Sequence, residues 1–221
     1  KMFLNRYSYD GWKHVLYEES QQMLIERFNE HNITLHIDDG CMGKGGDIIP
    51  FYKQKGVLSQ EVGIVAGFYA NNFTDERKGI FRYLVVASVG GWCHPQDYNH
   101  FYDCMCIPHN LKFFKNQLGF SLTDRTERIG LAISVLHELG HSLGMHYSHS
   151  GGVDNVSSRS NYPKNYPWYD YVSVMNYDYY WLRYFDYSDG SHGKYDTNDW
   201  ERIDLTHFQK TTLDAIEGVG S

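Results

Sequence analysis

No run of lysine or arginine occurs in the 221 residues, and 20 basic against 27 acidic side chains give a formal net charge of −7. The cationic footprint of a nucleic-acid binder is therefore absent, and no nucleic-acid partner is expected. No apolar stretch approaches the roughly 20 residues that a spanning helix needs, so no membrane span is expected either. No low-complexity linker divides the chain. Its length suits one domain, residues 1–221, large enough to bury a core without disulfides or metal. The chain opens on Lys1-Met2-Phe3-Leu4 with no signal peptide, a segment that processing removes, so the opening carries no address.

Cysteine is also sparse. Cys41, Cys93, Cys104 and Cys106 form no C-x-x-C pair, and an even count of this kind fits two disulfides in a secreted or extracytoplasmic protein. Cys104 and Cys106 are too close to bond each other, so each is expected to pair with Cys41 or Cys93. A second metal site made from Cys93, His94, His100, Cys104, Cys106 and His109 competes with that reading, but the spacing matches no standard zinc knuckle. The acidic groups Asp38-Asp39 and Asp186, Asp189, Asp196, Asp199 lack EF-hand spacing and read as solvated loop carboxylates. Gly40 to Gly46 lacks the Lys-Ser/Thr ending of a phosphate-binding loop and reads as a mobile loop. Tyrosine, in contrast, is abundant: 19 residues, many between Tyr162 and Tyr187, a density that suits a cleft wall.

The chemistry concentrates in His137-Glu138-Leu139-Gly140-His141-Ser142-Leu143-Gly144, an H-E-x-x-H pattern. Residues four apart share one face of a helix, so the imidazoles of His137 and His141 converge on one zinc ion. Glu138 falls beside them as a general base for water rather than as a ligand. Apolar residues at Ile129, Ala132, Ile133, Leu136, Leu139 and Leu143 give the surrounding segment a helical stripe. Asp124 and Glu127 read as a capping box, so this helix is predicted to run from near Asp124 to Gly144. Elsewhere the pattern predicts a helix over about Val15 to Asn29 and strands at Ile33 to Ile37, Gly63 to Tyr69 and Phe81 to Ser88. A loop-rich region follows the motif, and a last helix is predicted from about Thr197 to Ile216. Strands and helices first, then loops and a closing helix, read as α+β.

The motif resembles that of the metzincin metallopeptidases, which carry H-E-x-x-H-x-x-G-x-x-H and then a tight turn with a methionine beneath the zinc. His137, Glu138, His141 and Gly144 stand in register. Met175, in Ser173-Val174-Met175-Asn176-Tyr177, looks like the Met-turn of families that write S-x-M-x-Y. The resemblance implies a twisted mixed sheet with an N-terminal helix and an active-site helix in an upper lobe, residues 1–144. A loop-rich lower lobe, residues 145–221, carries the Met-turn and a C-terminal helix. It also implies that Tyr177 helps to hold the oxyanion. It covers roughly Asp124 to Tyr177.

The third histidine is where the pattern fails, because Tyr147 stands in its place. Alternation after Gly144 sets Met145, Tyr147 and His149 on one side, and since Met145 points inward, His149 is the expected third ligand, with His146 the alternative and Tyr147 a weaker one. The reading is a zinc-dependent endopeptidase acting on protein or peptide substrates. Two alternatives stand beside it: a gluzincin-like peptidase using Asp199 or Glu201 as third ligand, and a zinc-containing binding module without activity. Substrate preference and oligomeric state are not written in the sequence.

Overall fold

The structure, a computed structural model, describes residues 2–7, 15–41, 48–49, 72–77, 79–87, 92–94, 101–108, 124–146, 150–155 and 167–205. The expected strand at Gly63 to Tyr69 lies outside them. The fold mixes α and β. Its strands are β1 (Met2–Tyr7), β2 (Ile37–Asp38), β3 (Ile48–Ile49), β4 (Arg82–Ala87), β5 (Trp92–His94) and β6 (Phe101–Pro108). They form one sheet in the order β2-β1-β4-β6-β5, with β3 also paired to β1. Every pairing is parallel except β5 with β6, which puts an antiparallel strand at that edge.

Parallel central strands are buried on both faces and so read as continuous apolar runs. Tyr83-Leu84-Val85-Val86 of β4 is such a run, fully buried throughout. Leu84 and Val86 enter the main core with Met105 and Ile107 of β6, while Tyr83 turns to Phe73, ring to ring at 5.2 Å.

Helix α1 (Glu18–Glu30) buries Ser20, Leu24 and Phe28, one residue per turn, and ends where Asn32 takes a left-handed φ of 60°. It starts three residues later than the apolar pattern predicts. Helix α2 (Asp124–Ser142) lies against β6 and β5 on one side and α1 on another. Ser20 Oγ donates to Arg128 O at 2.8 Å, and Tyr17 donates its hydroxyl to Glu127, the residue expected to close the capping box. From Gly130 to Met145 every residue is buried, so α2 is a central helix rather than an amphipathic surface one. At about 1.5–3 kcal/mol for each large apolar side chain removed from water, Leu131, Ile133, Val135, Leu136, Leu139 and Leu143 make it the energetic centre of the fold.

Gly144 ends α2 as the sequence predicts, and for a physical reason. Its φ is 97°, and Met145 N–H reaches Gly140 O while Gly144 N–H reaches His141 O, both at 3.0 Å. These are the two bonds of a Schellman cap, which wants glycine at the left-handed position.

Two expectations are corrected. The strand predicted over Ile33 to Ile37 shrinks to Ile37–Asp38, because Ile33 and Leu35 pack against the core from an unpaired segment. Of the predicted closing helix the described residues hold a single turn, Asp199–Arg202, capped by Asn198 rather than Thr197. Ile203 leaves it at φ −57°, ψ 119°, and Asp204 N–H bonds Leu143 O, so a tertiary bond replaces the next helical one. Residues from 206 onward lie outside the description. Among the described residues no helix is long and apolar enough to cross a membrane. Cys41 is a free thiol, so the pairing expected through it is not made; β5 and β6 carry the other three cysteines, and of those side chains nothing is described.

Candidate metal centre

α2 places His137 and His141 one turn apart on the same face, both buried, with Glu138 buried between them. Their rings are fixed by main-chain carbonyls: His137 Nδ1 lies 2.9 Å from Val174 O, and His141 Nδ1 lies 2.8 Å from Met145 O. A carbonyl only accepts, so each Nδ1 carries the proton and each Nε2 presents a lone pair. Both Nε2 atoms face one carboxylate oxygen, Asp154 Oδ1, at 3.2 and 3.3 Å.

Asp154 is a candidate ligand that the sequence analysis missed. The three ligand atoms of His137, His141 and Asp154 lie within 4.8 Å of one another. Among the described residues, the third member of the group is a carboxylate and not an imidazole. The alternative ligand His146 is described, and it is outside that group: its ring lies parallel to that of His141 with centroids 6.0 Å apart. The expected ligand His149, and Tyr147 with it, lies outside the described residues. The gluzincin-like alternatives do not join the histidines either. Asp199 is buried against Tyr171 and Ser173, and Glu201 is exposed at the outer end of its turn.

The segment that delivers Asp154 is held tightly. Gly152 lies so close to Tyr171 that a methyl group there would overlap the ring, and Gly151 stands likewise against Trp168. Asp154 itself takes a left-handed φ of 55°, an uncommon conformation that Asp tolerates better than most residues and that clusters at functional sites. Its N–H bonds Met175 O at 2.9 Å, tying the segment to the turn that carries Met175.

Met175 is fully buried beneath the histidine helix, where its sulfur sits against Gly140; a side chain at Gly140 would overlap it. This explains a glycine in the middle of a helix, where it otherwise costs about 1 kcal/mol against alanine. Asn176 caps the short helix Tyr177–Trp181 and donates to Trp168 O and Tyr171 O. The ring of Tyr177, first residue of that helix, stacks on His137 at an interplanar angle of 21°, centroids 5.1 Å apart.

The electrostatics follow from this crowding. Burial opposes the charge of Asp154, but a proton shared with His141 and His137 outweighs burial and holds its carboxyl well below the usual carboxylate range. The Tyr177 hydroxyl is pushed far above its ordinary pKa, first by burial and then by the carboxylates of Asp154 and Glu138, so it stays protonated.

Two lone-pair nitrogens and a carboxylate oxygen at these separations repel one another unless a metal ion or a proton sits between them. His137 Nε2 and Asp154 Oδ1 are both buried and neither has a hydrogen-bond partner. Metal–ligand bonds of about 2.0–2.1 Å in tetrahedral geometry put neighbouring ligand atoms about 3.3 Å apart. The distances of 3.2 and 3.3 Å from Asp154 Oδ1 to the two Nε2 atoms are of that size, so these three residues could hold a metal ion. The second possible group, Asp189, His192 and Asp196, is mostly exposed and satisfied within its own loop, where Asp196 accepts from Ser188, His192 and Thr197.

Behind the site, burial raises the pKa of Asp199 to about 6 against the hydrogen bonds from Ser173, Ser188 and Tyr171. A carboxyl whose folded pKa is raised adds stability at low pH, and that share is lost as pH climbs from about 4 to about 6. Asp199→Asn removes the titration. Chemical denaturation should therefore show the variant gaining on the native protein across that window, by up to about 3 kcal/mol, and flat differences on either side. An unchanged difference from pH 4 to pH 7 would show that Asp199 titrates normally.

Comparison of the chain with family models, with curated proteins and with solved structures finds no match, so the reading of this centre rests on the motif and its geometry.

Proposed function

We propose that the protein is a zinc-dependent peptidase of metzincin type with an aspartate, Asp154, as its third metal ligand. The observation that carries this reading is the convergence of His137 Nε2, His141 Nε2 and Asp154 Oδ1, two of them buried and unsatisfied, with the carboxylate oxygen 3.2 and 3.3 Å from the two nitrogens. Three protein ligands leave the fourth position open, the arrangement of a catalytic rather than a structural site. A mixed sheet with one antiparallel edge strand, a buried zinc helix ended by glycine and a methionine packed beneath it supports the metzincin plan.

When bound, zinc supplies Lewis acidity: it polarises a scissile carbonyl and lowers the pKa of water from 15.7 to about 7. The chain supplies the rest. Val174 O and Met145 O fix the tautomer and aim of the histidines. Glu138, held in the same helix turn, removes the proton of the attacking water and delivers it to the leaving amine. Tyr177, protonated by its surroundings, donates a hydrogen bond to the oxygen on which negative charge develops.

Elemental analysis of the isolated full chain should find about one zinc per molecule, and a chelator should abolish cleavage of an unfolded protein substrate. Two imidazoles and one carboxylate also hold Fe(II) in oxygenases, so the same analysis reads iron. A chain that binds no zinc, or that cleaves substrate equally well in excess chelator, rules the peptidase out. Stoichiometric zinc with no hydrolysis of any peptide leaves the binding module instead.

A further inference from the structure

Asp199 stands outside the proposed chemistry, yet it is 2% exposed and carries a carboxylate into the core. Tyr171 donates its hydroxyl to both carboxylate oxygens at 3.0 Å, Ser173 donates to Oδ2 at 2.6 Å, and Ser188 N–H donates to Oδ2 at 3.1 Å. Thr197 adds a long contact of 3.5 Å. Among the described residues no lysine or arginine pairs with it. A buried carboxylate held only by hydroxyls and an amide costs stability relative to an apolar residue of the same size, so a purely architectural role is a poor reason for its presence.

The bonds lead to the metal ligands. Ser173 Oγ, which donates to Asp199, also accepts from Met175 N–H at 3.1 Å. The two carbonyls of the turn so fixed are Val174 O, which orients His137, and Met175 O, which accepts from Asp154 N–H. Two of the three ligands are thus anchored on consecutive carbonyls of one turn, which Asp199 reaches through a single hydroxyl beside the bonds of Val174 N–H to Asp186 O and of Asn176 N–H to Ser173 O.

We propose that Asp199 is a positioning residue for the metal centre, acting through Ser173 on the turn that aims His137 and Asp154. The inference rests on the proposed zinc site. Its reach is wider than packing, because outer partners that orient ligands typically change metal affinity by about 10–100-fold when removed.

The test is zinc affinity of the full chain, by competition with a chromophoric chelator, together with the visible absorption of the protein loaded with Co(II). Ser173→Ala cuts the link but leaves Asp199 with Tyr171 and Ser188. It should bind zinc about 10–100-fold more weakly and alter the Co(II) bands. Asp199→Ala should do the same. Asp199→Asn keeps an oxygen acceptor for Ser173 and should restore affinity to near the native value. Tyr171→Phe removes other bonds to Asp199 without touching Ser173, and should lower thermal stability while leaving affinity unchanged. The inference is overturned if native protein binds zinc and Ser173→Ala binds it equally with the same Co(II) spectrum. Equal weakening by Tyr171→Phe also overturns it, since general loosening then explains the effect. Should Asp199→Ala fail to fold, the serine variant decides alone. Native protein that binds no zinc fails the proposed function itself, a result separate from either of these.

Discussion

Glu138→Ala is expected to lower peptidase turnover by about 10²–10⁴-fold while leaving zinc content and fold intact. The loss is larger if one carboxylate serves both the attacking water and the leaving amine. The reasoning is positional. Glu138 follows His137 directly in α2, so its side chain leaves the helix about 100° away from the ligand face, beside the metal rather than on it. Its burial and its influence on Tyr177 place its charge within the centre, while the group of ligand atoms is complete without it. Steady-state kinetics with elemental analysis on the same sample separate the roles. Near-native turnover would show that another group is the base. Loss of zinc together with loss of activity would make Glu138 a ligand, and the coordination proposed above would be wrong.

How much of this was legible in the sequence depended on whether a residue belonged to a periodic element. The histidine helix was legible because its stripe from Ile129 to Leu143 repeats with helical spacing and Gly144 supplies the left-handed stop. Met175 was legible because its neighbours follow a pattern with a mechanism, although the reason it fits, the missing side chain at Gly140, appears only in three dimensions. Asp154 was not legible. It lies thirteen residues past His141 in a segment with neither helical nor strand period, and it is brought back by contacts of Gly151 and Gly152 with Trp168 and Tyr171. Alternation from Met145 concerned Tyr147 and His149, which lie outside the described residues, and it could not reach Asp154, since turns at residues 151 to 154 and a left-handed Asp154 break any two-residue period. The sequence did offer one usable signal: aspartate is an ordinary zinc donor, and Gly-Gly-Val-Asp-Asn is the first acidic residue after the helix, behind two glycines that permit a sharp return. The predicted helix from Thr197 is interrupted after Arg202 for a related reason. Apolar residues at helical spacing continue past Arg202, but Asp204 N–H is claimed by Leu143 O at the end of α2. A local pattern yields when a distant backbone group satisfies the same donor.

Asp154→Ala should have a larger effect on metal than the loss of any outer partner. Loss of an outer partner typically costs about 10–100-fold in affinity, and loss of a ligand should exceed that range. Removing this carboxylate leaves two imidazoles as the only protein ligands in the group and deletes the one negative charge among them. Activity should fall with zinc occupancy, and excess zinc should restore it only in part, because the geometry of the open position goes with the ligand. His146→Ala should stay close to native affinity, since its ring lies beside His141 rather than with the converging atoms. His149→Ala should also be mild, because a fourth protein ligand would close the position that catalysis needs. Competition titrations of these three variants order the ligands directly. Zinc lost in His149→Ala but kept in Asp154→Ala would return the third place to histidine. It would also leave the paired orphans His137 Nε2 and Asp154 Oδ1 to be explained by a proton shared between them.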